Sequence, residues 1–103
     1  MVMISIEYKS DVDLTREQFI QILRASTLSE RRPVDDLERI DKMLKHADLT
    51  ITAWDGEVFV GVSRCITDFS FCAYLSDLAV DANYQGTSIG KKLIEDMFLR
   101  FPV

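Results

Sequence analysis

The spacing of apolar and polar positions changes twice along the chain, and the changes outline its elements. Residues 3–8 (MISIEY) alternate at period two, which predicts a short strand with Ile4 and Ile6 on one face. Asp11 to Asp13 reads as a turn. From Thr15 the period lengthens, and Phe19, Ile22 and Leu23 fall on one helical face. Thr15 and Gln18 have the spacing of a capping box, in which a hydroxyl takes a free amide and the later side chain reaches back. This helix is expected to end near Ser26. A polar connection with Arg31-Arg32-Pro33 leads to a second helix, with Leu37, Ile40, Leu44 and Ala47 on its stripe. Its acids come early (Asp35, Asp36) and its bases late (Lys45, His46), as the helix dipole favours.

The period then falls back to two. LTITAW and VFVGVSRCI flank Asp55-Gly56, the strongest short hairpin signal in the chain. Thr67 to Ser70 reads as another turn, and FCAYLSDLAV as the third strand of this meander. A four-residue turn would set Cys65 opposite Cys72 across the ladder. The last helix is expected from about Ser88 to Leu99, with Ile89, Leu93, Met97 and Arg100 on one stripe and Ile94, Phe98 and Phe101 beside it. The order β-α-α-β-β-β-α defines a mixed α/β fold, its sheet largely antiparallel and flanked by helices. A strand followed by a helix ordinarily leads to a further strand parallel to the first. None follows before Val103, so residues 1–103 are expected to be one domain that is C-terminally incomplete.

Composition narrows the function classes. The chain is 48% hydrophobic and 28% charged, with no internal repeat and no apolar run near the roughly 18 residues of a membrane span. Net charge is −5, the opposite of what a nucleic-acid binder shows. Asp48, Asp55, Glu57, Asp68, Asp77 and Asp81 crowd one segment against Arg64 alone. That segment suits a cationic ligand, or else carries acids at strand ends for solubility. Two cysteines without an export signal point to reduced thiols in the cytoplasm. His46, the single histidine, excludes a histidine metal cluster and reads as a charge at a helix end. Trp54, Phe59 and Phe69 read as core or strand-surface aromatics.

One stretch carries chemistry. In Tyr84-Gln85-Gly86-Thr87-Ser88-Ile89-Gly90-Lys91-Lys92, small residues lie between an apolar strand and a helix start. Amides at a helix start are unpaired and partly positive, and small side chains leave them uncovered, so a phosphate can approach. The spacing fails the nucleotide-triphosphate loop: three residues separate Gly86 from Gly90, and Lys91-Lys92 follows.

LSDLAVDANYQGTSIGKKLIEDM resembles the acetyl-coenzyme A signature of the GNAT N-acetyltransferases, Arg/Gln-x-x-Gly-x-Gly/Ala after an apolar strand. WDGEVFVGVSR is similar to that family's hairpin, and two helices precede it, so the likeness covers nearly the whole chain. The resemblance implies transfer of acetyl from acetyl-coenzyme A to a small-molecule or peptide amine; the lone histidine and two cysteines already lead to the expectation of no metal site. It implies that the backbone of Leu78, Ala79 and Val80 pairs with the pantetheine arm, the Leu78 amide lying near the thioester carbonyl. It further implies that Gln85, Gly86, Thr87, Ser88, Ile89, Gly90 and Lys91 wrap the diphosphate. Ser88 stands where the family has its central glycine, which implies a weaker cofactor site. The family's acid, a tyrosine on a later helix, has no counterpart in Tyr8, Tyr74 or Tyr84, so the catalytic residues stay unassigned. Asp77 admits two readings: a general base, or, more simply, a strand-end acid in solvent or capping a loop. Arg31 and Arg32 sit where the family often builds its acceptor site, though exposed loop charge is the plainer account. The rival class is a non-catalytic coenzyme A-binding or association module, a homodimer formed through an uncovered last strand and helix.

Overall fold

A computed structural model describes residues 5–100. Its elements are β1 (Ile6–Lys9), α1 (Arg16–Ala25), a short 3₁₀ turn (Leu28–Arg31), α2 (Leu37–Lys45), β2 (Leu49–Asp55), β3 (Val58–Thr67), β4 (Ala73–Val80), a second 3₁₀ turn (Ala82–Tyr84) and α3 (Ile89–Arg100). The order is the one the pattern predicts. The four strands form one antiparallel sheet in the order β1-β2-β3-β4, so β4 is an edge. Ile4 and Phe101, which the pattern assigns to the first strand and the last helix, lie outside the described residues.

Each helix is set by local chemistry. Thr15 Oγ1 accepts from the Gln18 amide at 3.1 Å, and Gln18 Oε1 accepts from the Thr15 amide at 3.0 Å, completing the box that starts α1. Asp36 Oδ1 accepts from the Arg39 amide at 3.1 Å and starts α2, while His46 sits at that helix's C-cap. Phe19, Ile22 and Leu23 are buried as expected. On α2 only Ile40 is fully buried, and Leu37 is exposed, because this short helix is covered on one narrow stripe.

The sheet carries a core on each face. Phe19, Ile22, Leu23 and Ile40 pack from α1 and α2 against Val62 and Ala79. Ile89, Leu93 and Met97 of α3 pack on the opposite face against Ile51, Val60 and Cys65. Gly61 allows that second approach. A Cβ there would meet Leu93 Cδ1 at 3.2 Å and the Ala79 carbonyl at 3.3 Å.

Two turns differ from expectation. The β2–β3 hairpin closes over Gly56-Glu57, one residue later than Asp55-Gly56, because Asp55 still pairs with Val58 and Gly56 takes the positive φ of +61°. Thr67 pairs with Ala73, so the β3–β4 connection holds five residues. Cys65 therefore pairs with Leu75 and is buried, while Cys72 lies exposed in the turn; both are free thiols. The longer turn is built by Asp68, whose Oδ1 accepts from the amides of Ser70, Phe71 and Cys72 at 2.9–3.1 Å.

Candidate cofactor groove and the buried ion network beside it

Beyond Val80 the chain folds back on itself before α3 begins. Asp81 starts the turn: its amide donates to the Val60 carbonyl at 2.9 Å, and its Oδ1 accepts from the Asn83 amide at 2.8 Å. The Tyr84 hydroxyl donates to Asp55 Oδ2 at 2.7 Å, tying this turn to the β2–β3 hairpin. That bond to a carboxylate, with added desolvation, raises the pKa of Tyr84. The Gln85 side chain folds inward and donates to the Val80 carbonyl at 3.1 Å. Gly86 then takes φ +82° and Ser88 φ +69°.

Among the described residues, the first α3 amide with a backbone acceptor in this region is that of Lys92, which donates to the Ser88 carbonyl at 3.0 Å. No protein acceptor engages the amides of Gly86, Thr87, Ser88, Ile89, Gly90 and Lys91 among the described residues. Five of these six residues, all but Thr87, line a groove of about 330 Å³. Of the ten residues the sequence singles out, all but Ala79 and Thr87 line that groove, and Tyr84 joins them. The Ala79 side chain is buried on the α1 side, leaving only its backbone at the strand edge, and the Thr87 hydroxyl donates to the Tyr84 carbonyl.

The small residues have different reasons. Gly86 and Ser88 sit in the left-handed region, where a side chain is strained. Ser88 thus occupies a position built for glycine. Gly90 has no such need: a Cβ there would meet Val80 Cγ2 at 3.7 Å and Leu78 Cδ2 at 3.9 Å, ordinary contact distances. It would, however, stand in the groove. Lys91 lies loosely against Glu95 at 3.8 Å and keeps its charge at the groove edge.

The middle of β4 is a contrasting site. Asp77 is 1% exposed. Arg32 Nε donates to its Oδ1 at 2.6 Å, and Arg64 Nε donates to its Oδ2. Asp77 is therefore neither the solvent-facing strand-end acid of the plainer reading nor placed to take a proton from a substrate. Arg32 likewise is not loose loop charge. The sequence missed this network, since its members lie 45 and 13 residues from Asp77; the signal available was a lone arginine amid the apolar positions of β3. Arg31 contributes only its carbonyl, which accepts from Arg32 Nη1 at 2.9 Å.

The cluster of acids also resolves into structural duties. Asp48 accepts from the Thr67 amide at 2.8 Å, Asp55 holds Tyr84, Asp68 builds a turn, Asp77 is ion-paired and Asp81 caps a turn. Among the described residues, no three His, Cys, Asp or Glu side chains are grouped to hold a metal ion. No described helix is long and apolar enough to cross a membrane.

A sequence model of the acetyltransferase (GNAT) family matches residues 16–98, and the chain belongs to that family. A search of curated proteins returns no match. Among solved structures, a protein of methicillin-resistant Staphylococcus aureus superposes with a TM-score of 0.78 and 23% identity, over 93% of this chain and 68% of that one. An aminoglycoside acetyltransferase from an uncultured soil metagenomic sample, solved with sisomicin, gives a TM-score of 0.65 and 28% identity over 93% of this chain and 69% of its own. An aminoglycoside 6′-N-acetyltransferase complexed with coenzyme A gives 0.74 and 19% identity over 92% and 54%.

Proposed function

We propose that this chain transfers acetyl from acetyl-coenzyme A to an amine acceptor in the cytoplasm. One observation carries the reading: the unpaired amides from Gly86 to Lys91 open on a groove at the positive end of α3. Those amides and the Lys91 ammonium would hold the diphosphate, replacing its water with fixed donors. The outer backbone edge at Leu78, Ala79 and Val80, free save for the Val80 carbonyl that Gln85 holds, would pair with the amides of the pantetheine arm, as an added strand does. In such a pairing the Leu78 amide would lie near the thioester carbonyl and stabilise negative charge developing on the oxygen. The acceptor amine attacks the carbonyl carbon, the C–S bond breaks, and the sulfur leaves as a thiolate that takes a proton. The base and acid for these proton transfers are not assigned to a residue, and Asp77 is excluded by its two arginines.

The acceptor class is an amine. The neighbour bound to sisomicin favours a cationic one. The acids of residues 48–81 add little to that preference, since the fold uses most of them itself.

A second reading, association, rests on a separate observation. Phe71 is 88% exposed beside exposed Phe69 and Tyr74, at the end of a strand whose outer edge is free among the described residues. Such an edge can pair with a second copy.

A thiol-release assay with acetyl-coenzyme A and a panel of amines tests the main reading. Transfer gives thiol release that needs both substrates. Coenzyme A that stabilises without turnover supports the association module, and the absence of any shift in melting temperature leaves only the fold. A monodisperse monomer at high concentration in light scattering removes the second reading.

A further inference from the structure

The Arg32–Asp77–Arg64 network takes no part in the steps above, yet it is demanding to assemble. The side chains of Asp77, Arg64 and Arg32 are 0%, 7% and 23% exposed, and buried ion pairs seldom stabilise a fold more than apolar packing would. What the network grips shows what it is for. The β3–β4 register shifts between Arg64 and Cys65, so Ser76 is an extra residue in β4. Arg32 Nη2 donates to the Ser76 carbonyl at 2.9 Å, and Arg64 Nη2 donates to the Ser76 hydroxyl at 2.9 Å. The bulge is thus held by backbone and side chain together. Arg64 also donates to the Met43 carbonyl at 3.2 Å and lies over the Phe19 ring, which joins the bulge to both N-terminal helices.

The bulge inverts the alternation of β4. Leu75 packs on the α3 side, whereas Asp77, two residues later, faces the α1 side with Ala79. Leu78 and Val80 consequently point toward the groove. A regular strand would carry these side chains on the opposite faces.

We propose that Arg32 and Asp77 are positioning residues that lock the Ser76 bulge, so that the Leu78–Val80 edge is preset to pair with the extended diamide of a pantetheine arm. They clasp the connection after α1 to that edge in the same stroke. This inference rests on the acetyl-coenzyme A reading, and it separates the two halves of the groove: the loop amides hold the diphosphate, the locked edge holds the arm.

Coenzyme A and ADP, which shares the diphosphate and lacks the arm, distinguish those halves. Their dissociation constants are measured for the wild-type chain, Arg32→Gln and Arg32→Lys, with amide hydrogen exchange at Leu78 to Val80. Arg32→Gln lowers the preference for coenzyme A over ADP by about tenfold, the worth of one or two backbone hydrogen bonds. ADP affinity stays unchanged and exchange at the edge accelerates. Arg32→Lys, which keeps charge without the fork, recovers part of the preference. If Arg32→Gln does not fold, Arg32→Lys alone carries the comparison, through a smaller loss. An unchanged preference with unchanged exchange overturns the inference and leaves the function standing. A wild-type chain that binds neither ligand overturns both.

Discussion

The two ends of the outer half of β4 follow opposite rules. At its start the side-chain oxygens and the Ser76 carbonyl are spoken for: Asp77 is held by two arginines, and the Ser76 carbonyl and hydroxyl each have a donor. Past its end, consecutive amides from Gly86 to Lys91 have no protein acceptor among the described residues. Folded chains seldom leave backbone donors unused, and solvent or a ligand must take them. The contrast separates scaffold from site. Charge that the fold consumes cannot also do chemistry, however suggestive its position in the sequence.

The largest break in this contrast should come from Asp77→Ala. It leaves two guanidiniums buried or half-buried without their counter-charge, so stability falls by about 3–5 kcal/mol. Urea denaturation checks it, and a midpoint near that of the unaltered chain would show the network to be dispensable. Gly90→Ala sharpens the other end. Its Cβ meets no clash and replaces a helical glycine, so the free protein gains about 0.5 kcal/mol. The same methyl fills the groove, and coenzyme A binding weakens about tenfold. Opposite signs from one substitution distinguish a glycine kept for a ligand from one kept for the fold.

Ser88→Gly removes a side chain from the left-handed region and raises stability by about 0.5–1 kcal/mol, less than the full strain because glycine is freer when unfolded. Coenzyme A affinity should rise with it. Calorimetry that finds both lower would mean that the Ser88 hydroxyl, not the backbone, matters. The smallest effect is at the far turn. The amides of Phe71, Ser70 and Cys72 hold the Asp68 carboxyl down to about 2, from an ordinary 3.8. Its native-state pKa is lowered, so its contribution is complete above the ordinary carboxyl range and fades as the pH falls through about 2. Asp68→Asn flattens that segment of the stability profile, and an unaltered acid limb would contradict the assignment.

What could be seen in the sequence was local in its physics. The capping box at Thr15, the stripe of Ile89, Leu93 and Met97, and the order of the elements depend on neighbours in the chain, and each is found as expected. The groove residues were legible for the same reason, being nearly continuous in sequence. Two features were not: the β3–β4 turn, whose five residues pair Cys65 with Leu75, and the Ser76 bulge beyond it, which depends on Arg32 and Arg64 from distant segments. Leu37 has a core-like position on its helix, yet it stays 45% exposed. Asp77 misled in both readings because its partners arrive only when the helices pack on the sheet.

An amide-resolved NMR titration with coenzyme A tests the central claim most directly. The amides of Gly86 to Lys91 should move together and saturate with one dissociation constant, while that of Asp77 stays in place. Saturable binding that leaves those loop amides unmoved would contradict the account.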